Sequence, residues 1–119
     1  MKKLLLITIL LFGFLGYAQE DAWVYFNAKP NAQFYFNSPL EMLSQKALDR
    51  RTNQNIDLDF KDIPIENSFV NQVKANAGIT VMAQSKWLNA SHVRGSQVDI
   101  NSFAILSFVS KVDFADKTL

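Results

Sequence analysis

The sequence predicts an α+β domain, a ferredoxin-like split β-α-β sandwich in which an antiparallel sheet carries helices on one face, with one extra helical insert. Hydrophobic residues make up 49% of the 119 residues, a share typical of a folded domain. Some segments alternate apolar and polar residues as strands do, whereas others repeat them at helical spacing. After the N-terminal segment these patterns follow the order strand, helix, extra helix, strand, strand, helix, strand.

The N-terminal segment is typical of a cleavable secretory signal. Lys2 and Lys3 precede an apolar run, LLLITILLFGFL, that is too short for a spanning helix, and the small-residue stretch GYA precedes Gln19. We therefore expect a signal peptide over residues 1–18 and a secreted domain, periplasmic or extracellular, over residues 19–119. An uncut N-terminal membrane anchor is the alternative.

Composition narrows the classes of function. The chain has no cysteine, which excludes disulfides, a thiol nucleophile and thiolate metal sites. Signal cleavage removes two of the 12 lysines and arginines and none of the 11 acids, so the mature net charge is about −1. The remaining basic residues are scattered, whereas nucleic-acid binding needs them clustered. We expect a monomer with no cofactor, no nucleic-acid partner and no membrane contact after signal cleavage.

The first half of the domain is expected to hold a strand and a helix. The segment Asp21–Ala28 is rich in aromatic and β-branched residues and ends at a KPNA turn, so it predicts a central strand. Ser38 as N-cap, Pro39 at the first helical position and Glu41 in a capping box then predict a helix over residues 38–51. Its leucines recur on one face.

The extra helix is expected in the middle of the chain. Ile56, Leu58 and Phe60 alternate with acids, which predicts a short extended piece on the surface. Pro64 then opens a second helical pattern that runs to Gly78, where a left-handed cap would end the helix.

In the second half of the domain the apolar residues recur at every second position, as they do in strands. Strands are expected over residues 79–83 and 87–93, joined by a turn at 84–86, and over residues 108–114. Ser96, with Asp99 three residues later, predicts the start of a helix between the last two of these strands.

No catalytic, metal-binding or cofactor-binding residue is predicted. His92 is the lone histidine, and its neighbour Ser91 must point to the opposite face of a strand, so the two cannot act as base and nucleophile. Asp57, Asp59 and Asp62 lack the glycine and glutamate of a calcium loop, which favours a solvated loop. A small hydrolase using His92 is the least favoured hypothesis.

The run KWLNASHVRGSQVDINSFAILSFVSKVDFAD resembles the second half of the propeptide of subtilisin-like (S8 family) serine proteases, an inhibitor I9-like module. Residues 87–90 match its strand, Ser96 its helix cap, and Val109, Val112 and Asp113 its closing strand. The run AWVYF and the segment SPLEMLSQKALDRRTNQNI resemble its opening strand and first helix. The resemblance covers about residues 22 to 115, and the family's catalytic motifs are absent from this chain.

The resemblance implies an intramolecular chaperone and transient inhibitor, not an enzyme. Its partner would be the cognate catalytic domain, joined in cis in the full precursor, of which this chain would be a fragment. The sheet face opposite the helices would pack on the protease, and the C-terminal tail would enter its cleft. Protonation of His92 at acid pH would loosen the complex. The expected protease-facing residues are Val81, Ala83, Trp87, Asn89, His92, Val112 and Phe114, and the expected cleft-directed residues are Asp116, Lys117, Thr118 and Leu119.

The alternative is a standalone secreted protein-binding module with the same fold. The nucleotide sequence past the codon for Leu119 separates the two hypotheses, because only a precursor continues into a protease.

Overall fold

The computed structural model describes residues 18–119, so the signal peptide expected over residues 1–18 lies, apart from Ala18, outside the described residues. In chain order the elements are strand β1 (Glu20–Phe26), helices α1 (Ala32–Asn37), α2 (Gln45–Asn53) and α3 (Asn67–Lys74), strands β2 (Thr80–Ser85) and β3 (Ala90–Gly95), helix α4 (Gln97–Asn101) and strand β4 (Val109–Phe114). Short 3-10 helices span Pro39–Glu41, Phe60–Asp62 and Ser102–Ile105.

The four strands form one antiparallel sheet in the order β2-β3-β1-β4. Strand β1 lies between β3 and β4, so the expectation that it is central is confirmed. The order places β2 and β4 at the edges and gives the split β-α-β topology that the sequence predicts.

The hydrophobic core lies between one face of the sheet and two helices. Ala22, Val24 and Phe26 alternate along β1 into this core. Helix α3 contributes Val70 and Val73, and α4 contributes Ile100. The order of elements and the alternation of β1 therefore produce the α+β sandwich, with α3 and α4 on the same side.

The helix expected over residues 38–51 does not cover the sheet. Ser38 makes no capping hydrogen bond and starts only a 3-10 turn, whereas Ser44 accepts a hydrogen bond from the Ala47 amide at 3.1 Å and begins α2. Helices α1 and α2 contain no buried residue. The insert is therefore the region of α1 and α2, and α3 is the helix that crosses over the core. A capping signal acts locally and does not determine whether a helix reaches the core.

Two buried polar groups tie the insert to the sheet. Lys29 Nζ donates a hydrogen bond to the carbonyl oxygen of Phe60 (2.6 Å), in the 3-10 helix that follows α2. It donates another to the carbonyl oxygen of Lys86 (2.7 Å), in the turn that follows β2. Burial, with the nearby charge of Lys86, lowers the pKa of Lys29 to about 8. Asp62 is 3% exposed and forms a two-point ion pair with Arg51 at 2.7 and 2.8 Å.

Two expectations for the middle of the chain are wrong. Residues 60–62 form a 3-10 turn rather than an extended piece, because Asp59 and Asp62 complete a capping box there. Gly78 is not a left-handed cap, since no glycine among residues 18–119 has a positive φ. A Cβ at Gly78 would instead meet the carboxylate of Asp99, which would have to move aside.

The β2–β3 turn occupies residues 86–89, so β3 begins later than expected. Asn89 adopts a left-handed φ of 52°, and its side-chain amide donates to the carbonyl oxygens of Phe26 and Ala28, both at 3.1 Å. Asn89 is only 6% exposed. Its role is therefore to hold the turn against the end of β1.

Candidate functional site

One face of the sheet is left uncovered by α3 and α4. Residues paired across antiparallel strands project to the same face, so the partners of Trp23 on β3 and β4 share its side of the sheet. We call this surface the open face. It includes Asp21, Trp23, Tyr25, Ala83, His92, Arg94, Lys111 and Asp113.

An ion-pair cluster lies at the end of the open face where β1 begins. Asp21 Oδ1 lies 2.9 Å from His92 Nε2 and accepts a hydrogen bond from Arg94 Nε at 3.0 Å. These two contacts, that of His92 being the larger, hold the pKa of Asp21 below its usual value. The ring of Trp23 lies 5.6 Å from that of His92, centroid to centroid. The cluster therefore fixes an aromatic side chain beside charged groups.

The arrangement is suited to binding rather than to catalysis. Ser91 is buried on the opposite side of β3 from His92, as strand spacing predicts, so the open face has no nucleophile next to its histidine. Among the described residues no group of three His, Cys, Asp or Glu side chains could hold a metal ion. Trp23, Tyr25 and Arg94 are instead the residue types that dominate the energy of protein interfaces. Lys111 Nζ lies 4.5 Å from the centroid of Tyr25, which keeps that ring in place.

The structure divides the protease-facing residues expected from the sequence into three groups. His92 and Ala83 lie on the open face. The expected position of Val81, Val112 and Phe114 opposite the helices is wrong, because all three pack with the core. Two others lie in the β2–β3 turn, where Asn89 is buried and Trp87 is 66% exposed. Val81 and Ala83 lie on opposite faces because the pairing register of β2 shifts between them. For Val112 and Phe114, alternation shows that they share a face but not that the helices cover it.

Six of these residues of the open face are not predicted from the sequence as protease-facing: Asp21, Trp23, Tyr25, Arg94, Lys111 and Asp113. The signal that could have found them is the alternation of Trp23 and Tyr25 with Ala22, Val24 and Phe26. This pattern indicates that one side of β1 faces the core. The rings of Trp23 and Tyr25, which carry polar atoms, lie on the other side.

The C-terminal tail begins next to the open face. The Ala115 amide donates to the Asp21 carbonyl at 2.9 Å, and residues 116–119 are exposed. Asp116 Oδ1 accepts from the amide (2.9 Å) and hydroxyl (2.6 Å) of Thr118, which lowers the pKa of Asp116 and folds the tail into a turn. Lys117 donates to Asp113 on the open face. A cavity of about 170 Å³ runs between the tail and Asp21.

Replacing Asp21 with asparagine is expected to lower the free energy of unfolding at neutral pH. The pKa of Asp21 is lower in the folded chain than in the unfolded chain. The ionised carboxylate therefore stabilises the fold at pH values above the pKa of the unfolded chain. This contribution is lost as the pH falls through the pKa of the folded chain. The difference in the free energy of unfolding between the wild type and the variant should be constant above about pH 5 and shrink below about pH 4. Urea unfolding at several pH values measures it. The exposed Asp57→Asn is the control, and a gap that widens in acid would contradict the assignment.

Residues 18–119 contain no helix with the length and apolar content needed to cross a bilayer. No curated protein and no solved structure matches the chain. A family model described as Peptidase S8 propeptide domain, Bacteroidota, matches residues 21–119. The match includes all the helices, β2, β3, β4 and all but the first residue of β1. The chain therefore belongs to the peptidase S8 propeptide domain family, the non-catalytic part of a subtilisin-like protease precursor.

Proposed function

We propose that this domain is an intramolecular chaperone and transient active-site inhibitor of a secreted subtilisin-like serine protease. Membership of the S8 propeptide family carries the proposal, because it implies a catalytic domain in cis. The domain acts as a monomer after export, its signal peptide removed. It acts by binding and needs no catalytic residue, metal or cofactor.

The open face is the surface that docks on the catalytic domain. It combines Trp23, Tyr25 and Arg94 on two adjacent strands, and the ion pair with Asp21 holds Arg94 in place before binding. Side chains held in this way lose less conformational entropy on binding. The expectation that His92 and Ala83 contact the protease is retained as part of this surface.

The tail supplies the inhibitory part of the interface. Residues 116–119 are exposed and start beside the open face, so a protease docked on that face would have the tail within reach of its substrate cleft. Entry requires the turn held by Asp116 and Thr118 to open, because a protease cleft binds extended chain.

The chaperone role follows from linked folding and binding. A domain of this size without disulfides has a net stability of only about 5–15 kcal/mol. A partner that binds only the folded form adds stability to it by mass action. The same linkage favours the folded catalytic domain.

Inhibition of the cognate protease tests the proposal. Purified residues 19–119 are expected to inhibit the mature enzyme at submicromolar concentration, measured as loss of peptide hydrolysis. A sample shown to be folded by circular dichroism that fails to inhibit at tens of micromolar would overturn the proposal.

A further inference from the structure

The chain between α2 and the next 3-10 helix is an exposed internal segment. Every residue from Thr52 to Asp57 is exposed, and residues 56–59 have no regular secondary structure. Asn55 turns the chain sharply with a left-handed φ of 55°. We call residues 54–58 the insert loop.

Few contacts hold the insert loop in its conformation. The Gln54 amide donates to the Arg50 carbonyl at 3.0 Å, and the Ile56 amide donates to the Arg51 carbonyl at 2.8 Å. None of its side chains is buried. Local opening of such a segment costs little free energy, because it exposes no core and breaks few hydrogen bonds.

Two other exposed loops are fastened more firmly. The carbonyl oxygen of Lys86 in the β2–β3 turn accepts from the buried Lys29, and Asn89 holds the other end of that turn. The loop before β4 is held by Asn27, whose side chain donates to the Ser107 carbonyl at 2.7 Å and whose amide donates to the Phe108 carbonyl at 3.0 Å. An endopeptidase must pull several residues into an extended form, and these contacts resist it.

Because of the order of the strands in the sheet, cleavage in the insert loop would have a large effect on the structure. Strand β1 precedes the loop, whereas β2, β3 and β4 follow it. Because β1 lies between β3 and β4, a cut assigns the central strand to one fragment and both of its neighbours to the other. The core residues Ala22, Val24 and Phe26 go with the first fragment.

We propose that the insert loop, residues 54–58, is the internal proteolytic site at which the folded domain is taken apart. The agent is a serine endopeptidase of the subtilisin-like class, which the proposed function places next to the domain, and the inference rests on that function for the agent alone. One peptide C–N bond is hydrolysed. Water supplies the oxygen of the new carboxylate and the hydrogen of the new amine, and the enzyme is regenerated.

Cleavage makes the fold depend on concentration. The uncut chain holds β1 near its neighbours at an effective concentration of roughly millimolar, whereas separate fragments at about 1 μM meet roughly a thousandfold less often. The ratio of folded to unfolded protein should therefore fall about a thousandfold at 1 μM. The Arg51–Asp62 ion pair spans the cut and delays separation without preventing it on dilution.

Limited digestion of residues 19–119 with a broad-specificity subtilisin-like endopeptidase tests the inference. Intact-mass spectrometry identifies the order of the cuts. Of all cuts within the range Glu20 to Phe114, the first is expected inside the insert loop. The unfolding midpoint of the cut sample should fall on dilution. Asp57→Pro should slow this cut at least tenfold, because proline has no amide to pair with the enzyme. Val98→Pro is the matched control, at a site 80% exposed in the first turn of α4, where proline is tolerated.

A first internal cut in any other segment, or no internal cut at all, would overturn the inference, as would a midpoint independent of concentration after cleavage. Because the wild-type cut is mapped directly, the inference can be judged even if Asp57→Pro does not fold. A domain that is cut in the insert loop but inhibits no protease would refute the proposed function alone. An inhibitor that is first cut elsewhere would refute the inference alone.

Discussion

Replacing Trp23 with alanine is expected to raise the inhibition constant of the domain about thirtyfold or more, because large aromatic residues at the centre of an interface contribute about 2 kcal/mol or more. Trp23 lies on the central strand of the sheet and in the middle of the open face, between His92 and Asp113. Its ring is held against His92 before docking, so little entropy is lost on binding. Titration of protease activity with each variant measures the effect.

The second tryptophan supplies the matched control. Trp87 is 66% exposed in the β2–β3 turn and is not part of the open face. Replacing Trp87 with alanine is therefore expected to change the inhibition constant less than about threefold, as is usual for residues outside the centre of an interface. Circular dichroism corrects both constants for the folded fraction. A larger loss for Trp87→Ala than for Trp23→Ala would show that the protease docks elsewhere.

Replacing Ile100 with alanine is expected to lower the free energy of unfolding by about 2–5 kcal/mol, the usual range for a fully buried isoleucine. Ile100 is 0% exposed and lies in α4, where it packs into the core against the sheet. Only the upper end of this range reaches the lower end of the net stability of about 5–15 kcal/mol that domains have. The variant should therefore unfold at a clearly lower urea concentration than the wild type.

Ile105 provides the same substitution at a site that is 88% exposed. Ile105→Ala is expected to change the free energy of unfolding by less than about 0.5 kcal/mol. Urea denaturation of both variants, followed by circular dichroism, measures the difference. Equal losses would contradict the arrangement in which Ile100 packs into the core and the Ile105 side chain faces solvent.

Several elements could be predicted because their signals are local. The Ser96 hydroxyl accepts from the Asp99 amide at 3.2 Å and begins α4, as the spacing of the two residues predicts. From Lys111 to Phe114, strand β4 alternates as expected, with Val112 and Phe114 on one side and Lys111 and Asp113 on the other. Capping bonds and pleating depend on neighbours within a few residues, so a single sequence contains them.

The candidate site was less predictable because it depends on distant residues. Asp21 meets His92 and Arg94 only because β1 pairs with β3, more than seventy residues later in the chain. The helix over 38–51 has better start signals than α3, yet α3 reaches the core. The outcome depends on which apolar surface fits the sheet, a property of packing rather than of capping.

The amino-acid sequence by itself determined the order of the four strands, the residues that alternate along β1 and the likeness to a protease propeptide. Only the tertiary structure decided that α3 and α4 cover the face of Val24 and Phe26, which leaves Trp23 and Tyr25 on the face open to a partner. The physical reason is that an alternating pattern sorts side chains into two faces of a sheet but does not determine on which face the helices pack. That choice is made by contacts between residues far apart in the chain.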